Sequence, residues 1–466
     1  MDATYNTNFN PSTEVQDLLF LKNSEDFKLL TGWLPSMATQ KFFPDNNENN
    51  FSPVTLPGLS RPEFMATNYD ICSGQLEKLM ANLNFSPSEI SSIRDAKNVN
   101  VESGMNRLAH LIDNGWYFSA CDLTHKLLTE AGHGIGQMGQ NSARLTQYSA
   151  HLWLIRFNLL IRLSHFKIAE KEMDAFNNMD APDIYFQFSP ETERKGSIVP
   201  FALRILHAIL PYYLDKKKES IERIYYLLSV ILSNINKGFE EDGSHTVQDK
   251  DKLSKMLKIW KIKKVQLLQT STWIHFNNGD YESAISISLQ CLKIYSYLKM
   301  NREEIRILSG IAKIYLSFGN INNAEEYFEM ALKKERDVSS SEYKINELFY
   351  KSLIDFAKGE MQSSKDNTLK ALNMDEENLR LVMHYSVILF YSGNIREAIQ
   401  RLEGFIEKKP SLITDKIVSD LCVLYELESE NSIDRKKALL RKLAPICADR
   451  SNRTKEFDNF CSLNTN

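Results

Sequence analysis

The chain has 466 residues with 60 acidic and 56 basic side chains, a formal charge of −4. That balance gives no overall electrostatic drive toward nucleic acid or an anionic membrane. A hydrophobic content of 43% is that of a folded protein, and the length is more than one compact core holds, though a solenoid growing along one axis accommodates it.

Residues 1–66 differ from the rest. Six of the 13 prolines fall within the first 62 residues, and Asn46–Asn50 is nearly all asparagine. Such a composition buries little apolar surface, which predicts a largely disordered N-terminal segment. Within it, residues 15–37 are apolar at helical spacing. They read either as an idle transient helix or as a short segment that folds onto a partner or back onto the main body. The start of the chain lacks a basic-then-apolar leader, and no run approaches 18 apolar residues, so neither a signal peptide nor a membrane span is expected. Sequons at Asn50, Asn84 and Asn452 should therefore stay unmodified.

From residue 67 to 250 the spacing predicts divergent helical repeats. Ser86–Glu89 reads as a helix N-cap. Gly115, Tyr117 and Ala120 mark a turn and the helix after it. Trp153, Phe157, Leu160, Phe166 and Ala169 mark a whole helix pair without a turn glycine. Residues 199–232 mark another, with Ser220 where two helices touch. Residues 131–142, 181–198 and 238–250 read as loops.

Residues 251–415 carry the clearest pattern. In Leu308–Arg336, Leu308, Ile311, Ala312 and Tyr315 form one apolar stripe, and Ala324, Phe328, Ala331 and Leu332 form a second after a turn at Gly319-Asn320. Copies align on Gly279 with Ala284, on Gly359 with Ser364, and on Gly393 with Ala398, the last closing on Pro410. The turn glycines lie 40, 40 and 34 residues apart. This is the pattern of a tetratricopeptide repeat, whose helix pairs bury their stripes only by stacking on neighbours. The fold class expected is all-α, a tetratricopeptide-repeat superhelix. Residues 416–466 read as a helical cap and tail. Asp420, Leu421, Val423, Leu424 and Leu427 supply an apolar stripe, with Leu439, Leu440 and Leu443 facing inward. Arg435, Lys436, Lys437, Arg441 and Lys442 form a basic outer face that is solvated or docks a partner.

Candidate chemistry is sparse. Gly134–Gly139 fits G-x-G-x-x-G, but a helical segment precedes it where a dinucleotide site needs a strand, so it reads as an inter-helix loop. The nine histidines are isolated, the six cysteines lack C-x-x-C spacing, and no hydrolase or Walker signature is present. No catalytic, cofactor-binding or metal residue is assigned, and scattered thiols fit a reducing cytosol. Lys250–Lys264 is a sharply basic helix, with Leu253, Met256, Leu257 and Trp260 on one face and the lysines expected in water. A membrane-surface or partner helix is the other reading of it. Chaperone-binding repeats use inward cations on successive first helices. Here Lys313 occupies that position, but Trp273, Leu353 and Val387 occupy the equivalent ones, so that clamp is not expected.

Two stretches carry a more specific resemblance: Val199–Leu214 with the KKKESIERIYYLLSVIL run after it, and Tyr425–Ser429 with the DRKKALLRKL run. Together with the repeats, they resemble the subunit 12 family of the trafficking protein particle (TRAPP) complexes, also called the TPR-repeat protein 15 type, over roughly residues 100–466. Gly32–Pro35 is faintly similar, and the N-terminal segment is shorter than in long family members. The resemblance implies a non-enzymatic scaffold subunit of a TRAPP III-type tethering and Rab nucleotide-exchange complex, in endoplasmic reticulum to Golgi transport and autophagy. It implies large subunits 8 and 11 and adaptor subunit 2 or its paralogue as partners. It also implies a cytoplasmic chain held indirectly and peripherally at the intermediate compartment and Golgi. The alternative is a co-chaperone or other adaptor that takes peptide segments in the concave groove.

Overall fold

The computed structural model describes residues 33–35, 39, 66, 86–88, 104–113, 115–134, 145–176, 178–188, 196–237, 250–335, 340–409, 415–428 and 431–447. Most of the N-terminal segment, residues 135–144 of the glycine-rich motif and Pro410 lie outside them.

The described residues build an all-α tetratricopeptide-repeat superhelix of antiparallel helix pairs. In chain order these are α1 (Met105–Asp113) with α2 (Tyr117–Glu130), α3 (Gln147–Arg162) with α4 (Phe166–Met173), and α5 (Phe201–Tyr213) with α6 (Lys217–Lys237). Then come α7 (Lys250–Asn277) with α8 (Tyr281–Leu298), α9 (Asn301–Ser317) with α10 (Ile321–Lys334), and α11 (Ser341–Lys358) with α12 (Met361–Met374). The last two pairs are α13 (Leu379–Tyr391) with α14 (Ile395–Lys408), and α15 (Asp415–Glu428) with α16 (Ser432–Cys447). Two isolated bridges, Ala66 to Gly134 and Tyr185 to Ser197, are the only strand-type pairings among the described residues.

One register recurs through the first seven pairs. The turn residue sits seven positions after a buried residue of the first helix, and a small residue of the second helix follows five positions later. Gly279, Gly319, Gly359 and Gly393 all adopt the left-handed region, with φ between 77° and 83°, where a residue without Cβ closes a helix most readily. Gly115 holds the same place in the first pair at φ 74°, and Ser164 and Asp215 hold it at φ 58° and 62°, which is why the second and third pairs lack the glycine signal. The small positions Ala169, Ser220, Ala284, Ala324, Ser364 and Ala398 are fully buried. Where the small residue is a serine, its hydroxyl must be satisfied. Ser220 Oγ donates to the Ala208 carbonyl at 2.7 Å, and Ser364 Oγ to the Ser352 carbonyl at 2.8 Å. Hydroxyl and methyl thus serve one packing position.

The core runs as one cluster from Trp33 to Tyr295 and a second from Leu308 to Leu443, with Phe276, Ala284, Ile285, Ile311 and Ile314 between them. Phe328 and Ala331 are buried, and Phe328 stacks on Tyr350 of the next pair at 4.4 Å. Tyr315 is half-buried and stacks on Tyr327 at 5.5 Å. Ion pairs about one repeat apart stitch neighbouring pairs: Lys358 to Glu325, Lys365 to Glu397, Lys408 to Glu376 and Lys442 to Glu407. Exposed pairs of this kind contribute about 1 kcal/mol or less each.

Four sequence expectations need correction. In the basic helix, Lys263 is fully buried rather than in water; its ammonium lies 4.6 Å from the Trp260 ring centroid, and the aliphatic stem shares that apolar contact. In α15 the stripe is Ile417, Val418, Leu421, Cys422, Leu424 and Tyr425, while Val423 and Leu427 point outward, because the buried face is centred on Leu421 and Tyr425, and at about 100° per residue Val423 and Leu427 fall on the far side. Lys436 is buried against Glu426 and does not belong to the outer face. The 181–198 loop contains two 3₁₀ turns, Pro182–Ile184 and Phe186–Phe188, around a buried Tyr185.

Candidate functional site

The described surface with the strongest chemical character is a cavity of about 580 Å³ between successive repeats. Its floor is made of small and hydroxylic side chains on first helices, Thr272 of α7 and Ser309 and Gly310 of α9, with Ser288 of α8 and Tyr350 of α11. Its mouth carries the exposed Arg302, Arg306 and Arg380. Lys313, one helical position after the buried Ala312, reaches into it from α9.

The electrostatics are uneven. Burial pushes the Lys313 ammonium down to about 8, and the positive charge of Arg380 acts in the same direction. Neither cation forms an ion pair with a described carboxylate; Arg380 lies instead over the Phe349 ring at 5.7 Å. On the opposite wall, burial and the neighbouring Glu342 raise the Glu335 carboxyl, which Asn346 partly offsets by hydrogen bonding. At the edge, Lys334 is neutralised by the buried Glu304 at 2.6 Å. Lys313 was legible in the sequence as the inward position. Arg302 and Arg306, on α9 itself, and Arg380, 67 positions after Lys313 on α13, carried no repeat signal. Trp273 is half-buried against Tyr212 at 4.9 Å, Leu353 is buried and Val387 is half-buried, so the repeated cationic clamp of chaperone-binding repeats is not formed at those positions.

The expected docking residues fall at the other end of the stack. Arg435 pairs with Glu428 and stands over the Tyr425 ring at 5.3 Å. Lys436 is held by Glu426, and Lys437 remains exposed. Of the three, only Lys437 offers its charge outward without a described ion pair. Among the described residues no three His, Cys, Asp or Glu side chains converge as metal ligands would. Gly134 packs against Thr129, where an added Cβ would meet the hydroxyl at 2.3 Å. Close helix approach thus explains that glycine, and a helix rather than a strand precedes it.

Known proteins place this architecture in context. The tetratricopeptide repeat family model matches residues 305–335, the α9/α10 pair. Over 454 residues the chain is 29% identical to trafficking protein particle complex subunit 12 of Mus musculus, covering 94% of this chain and 54% of that one. Over 423 residues it is 30% identical to the Homo sapiens protein of the same name, covering 89% and 55%. The chain is similar to TRAPP subunit 12. It spans about half the length of the curated relatives it matches. Among solved structures, a Rap protein complexed with competence and sporulation factor aligns at 14% identity and a TM-score of 0.39, over 80% of this chain and 93% of that one.

Both stretches that carried the subunit 12 resemblance have structural work. Val199–Leu214 forms the start and body of α5, and its Phe201 receives Trp33 in a stacked contact at 5.5 Å. In Tyr425–Ser429, the Tyr425 hydroxyl donates to Glu403 at 2.5 Å and ties α15 to α14. These contacts pack the third helix pair against the N-terminal segment and tie the last pair to the one before it. No helix among the described residues is long and apolar enough to cross a membrane.

Proposed function

We propose that this chain is a non-catalytic scaffold subunit of a TRAPP III-type vesicle tethering and Rab nucleotide-exchange complex, acting in endoplasmic reticulum to Golgi transport and autophagy. The observation that carries the reading is the match to TRAPP subunit 12 along about nine-tenths of the chain. A helical-repeat stack supports it physically, since stacked repeats present extended faces to partners. The partners are the large subunits 8 and 11 and adaptor subunit 2 or its paralogue. The chain is cytoplasmic, and attachment at the intermediate compartment and Golgi is peripheral, through the complex. Residues 67–250 form the divergent half, 251–415 the regular repeats, and 416–466 the cap and tail, where Arg435 and Lys437 face a neighbouring subunit. Affinity purification of the tagged chain followed by subunit identification tests this. TRAPP subunits in the eluate are the expected result, and recovery of a chaperone with no TRAPP subunit refutes it. In a companion assay, the purified chain alone should not accelerate nucleotide release from a Rab GTPase; activity free of other subunits would overturn the non-enzymatic assignment.

A further inference from the structure

We propose that Lys313 is a site of lysine acylation, its amine taking the acyl group of a coenzyme A thioester that enters the cavity lined by α9 and α13. The inference holds whichever assembly the chain joins.

The first ground is the setting of the amine. Lys313 is half-buried on α9 and lines a cavity of about 580 Å³, within the range of about 300–1,000 Å³ for ligand clefts. Elsewhere on the stack, Lys358, Lys408 and Lys442 each find a glutamate about one repeat away. Lys313 has no such partner among the described carboxylates. Glu335 of α10 and Glu342 of α11 also line the cavity, but they bear on each other, and Asn346 hydrogen-bonds to Glu335. Lys334 of α10 is taken by Glu304. From α7 and α8 the walls bring only the uncharged Gln269, Thr272 and Ser288. The charge that acts on Lys313 is the positive one of Arg380, on α13.

The second ground is nucleophilicity. A lysine attacks a carbonyl only as the free amine, and desolvation beside another cation is what activates nucleophilic lysines. Burial and Arg380 together hold Lys313 down to about 8. At pH 8 about half of such an amine is neutral, against less than about 1% of an ordinary lysine. The lower basicity takes back about a factor of ten in intrinsic nucleophilicity, by the slope known for thiols, and leaves a net advantage of about tenfold.

The mouth selects the donor. Arg302, Arg306 and Arg380 are exposed there, and the guanidinium fork meets phosphate bidentately. A coenzyme A thioester carries its phosphates at the far end of a long flexible arm, so the phosphates stay at the arginines while the thioester goes inward. The Lys313 Nζ lone pair attacks the thioester carbonyl carbon. The C–N bond forms, the C–S bond breaks, and coenzyme A leaves as the thiolate, which takes up the proton lost from nitrogen. The amide product is uncharged, so the opposition between Lys313 and Arg380 ends with the reaction.

The experiment incubates the full chain with acetyl coenzyme A at pH 8 and follows the acetylation of each lysine by peptide mass spectrometry. Lys437, exposed and without a described ion pair, is the internal reference. Lys313 should react about tenfold faster than Lys437. Its rate should level off above about pH 8, where an ordinary solvated lysine is still gaining free amine. The double variant Arg302→Gln with Arg306→Gln changes only exposed side chains. It should slow acetylation of Lys313 by acetyl coenzyme A severalfold, and leave its labelling by the neutral reagent N-acetoxysuccinimide unchanged. Lys313 reacting no faster than Lys437 overturns the proposal, and so does a rate that climbs without levelling to about pH 10. An undiminished rate with acetyl coenzyme A in the double variant overturns the choice of donor, and with it the proposal as stated.

Discussion

Trp33 lies flat on Phe201, ring centroids 5.5 Å apart and planes 16° from parallel. The contact joins a residue of the N-terminal segment to the first turn of α5. Around it, Trp260 packs at 5.9 Å, the Arg204 guanidinium stands 5.0 Å over the indole, and the Ser197 amide donates to the Trp33 carbonyl. Thr39 adds a hydrogen bond to the Asp180 carbonyl. Of the readings the sequence left open for residues 15–37, folding back onto the main body is the one realised at residues 33–35. Trp33→Ala should cost about 3–5 kcal/mol, the range for truncating a buried large aromatic. Trp33→Phe should retain most of the stability. Denaturant unfolding checks both, and an unchanged midpoint for the alanine variant removes the anchor.

Ala324 packs fully buried against the helix bearing Ala312. Ala324→Arg forces a long charged side chain into a contact with no room for it, and a loss of about 3 kcal/mol or more is expected. Ser364→Ala, at the equivalent position, removes only the hydrogen bond to Ser352 and should cost about 1 kcal/mol. Equal melting temperatures for Ala324→Arg and wild type would falsify the shared register.

Arg156 and Glu172 form a bidentate pair at 2.7 Å inside the α3/α4 hairpin, both nearly inaccessible. The guanidinium also donates to the Cys121 carbonyl at 3.2 Å, which links the pair to α2. Glu172→Gln leaves a buried cation half-compensated and should cost about 3–5 kcal/mol. The double variant Arg156→Met with Glu172→Leu should recover most of that loss. Additive losses in the resulting double-mutant cycle would show that the pair is not coupled.

His384 is buried with Nε2 3.0 Å from Ser352 Oγ, in a hydroxyl network with Ser364 and Thr368. Burial lowers it to about 4, against a small opposing contribution from the Ser352 hydrogen bond. The unfolded chain therefore binds the proton more readily than the folded one between about pH 6.5 and pH 4. The contribution of His384 to stability is complete above that window and lost as pH falls through it, by up to about 3 kcal/mol. His384→Gln should unfold with a shallower dependence on pH between 7 and 4 than wild type, a comparison that removes the contribution of other groups. Parallel profiles for the two proteins refute the assignment.

In the C-terminal pair, neighbouring lysines should respond in opposite ways. Lys436→Glu places a carboxylate against Glu426 in a buried setting and should destabilise by about 2 kcal/mol or more. Lys437→Glu lies on the exposed side and should change stability by about 0.5 kcal/mol or less. Thermal melts separate them. Lys437→Glu then serves as the clean probe of subunit docking, since its exclusion from the complex would not be a folding defect.

The sequence by itself determined the repeat. The turn glycines, the small residue after each and the apolar stripes are local requirements of a helix hairpin, and each occurs within a span of about thirty residues. Gly279, Gly319, Gly359 and Gly393 lie at left-handed turns, and Ala284, Ala312, Ala324 and Ala398 are fully buried. Ser164 and Asp215 escaped notice because a left-handed residue with a Cβ bears no compositional mark. Tertiary structure alone decided which charged side chains are inside. Lys263 and Lys436 sit at positions that read as solvated, and tertiary contacts, among them Trp260 and Phe201 for the first and Glu426 for the second, accompany their burial. The same holds for the cavity. Lys313 and Arg380 are 67 residues apart in sequence, and they share one space because the angle at which each hairpin stacks on the last is set by side-chain packing between repeats, which no single repeat encodes.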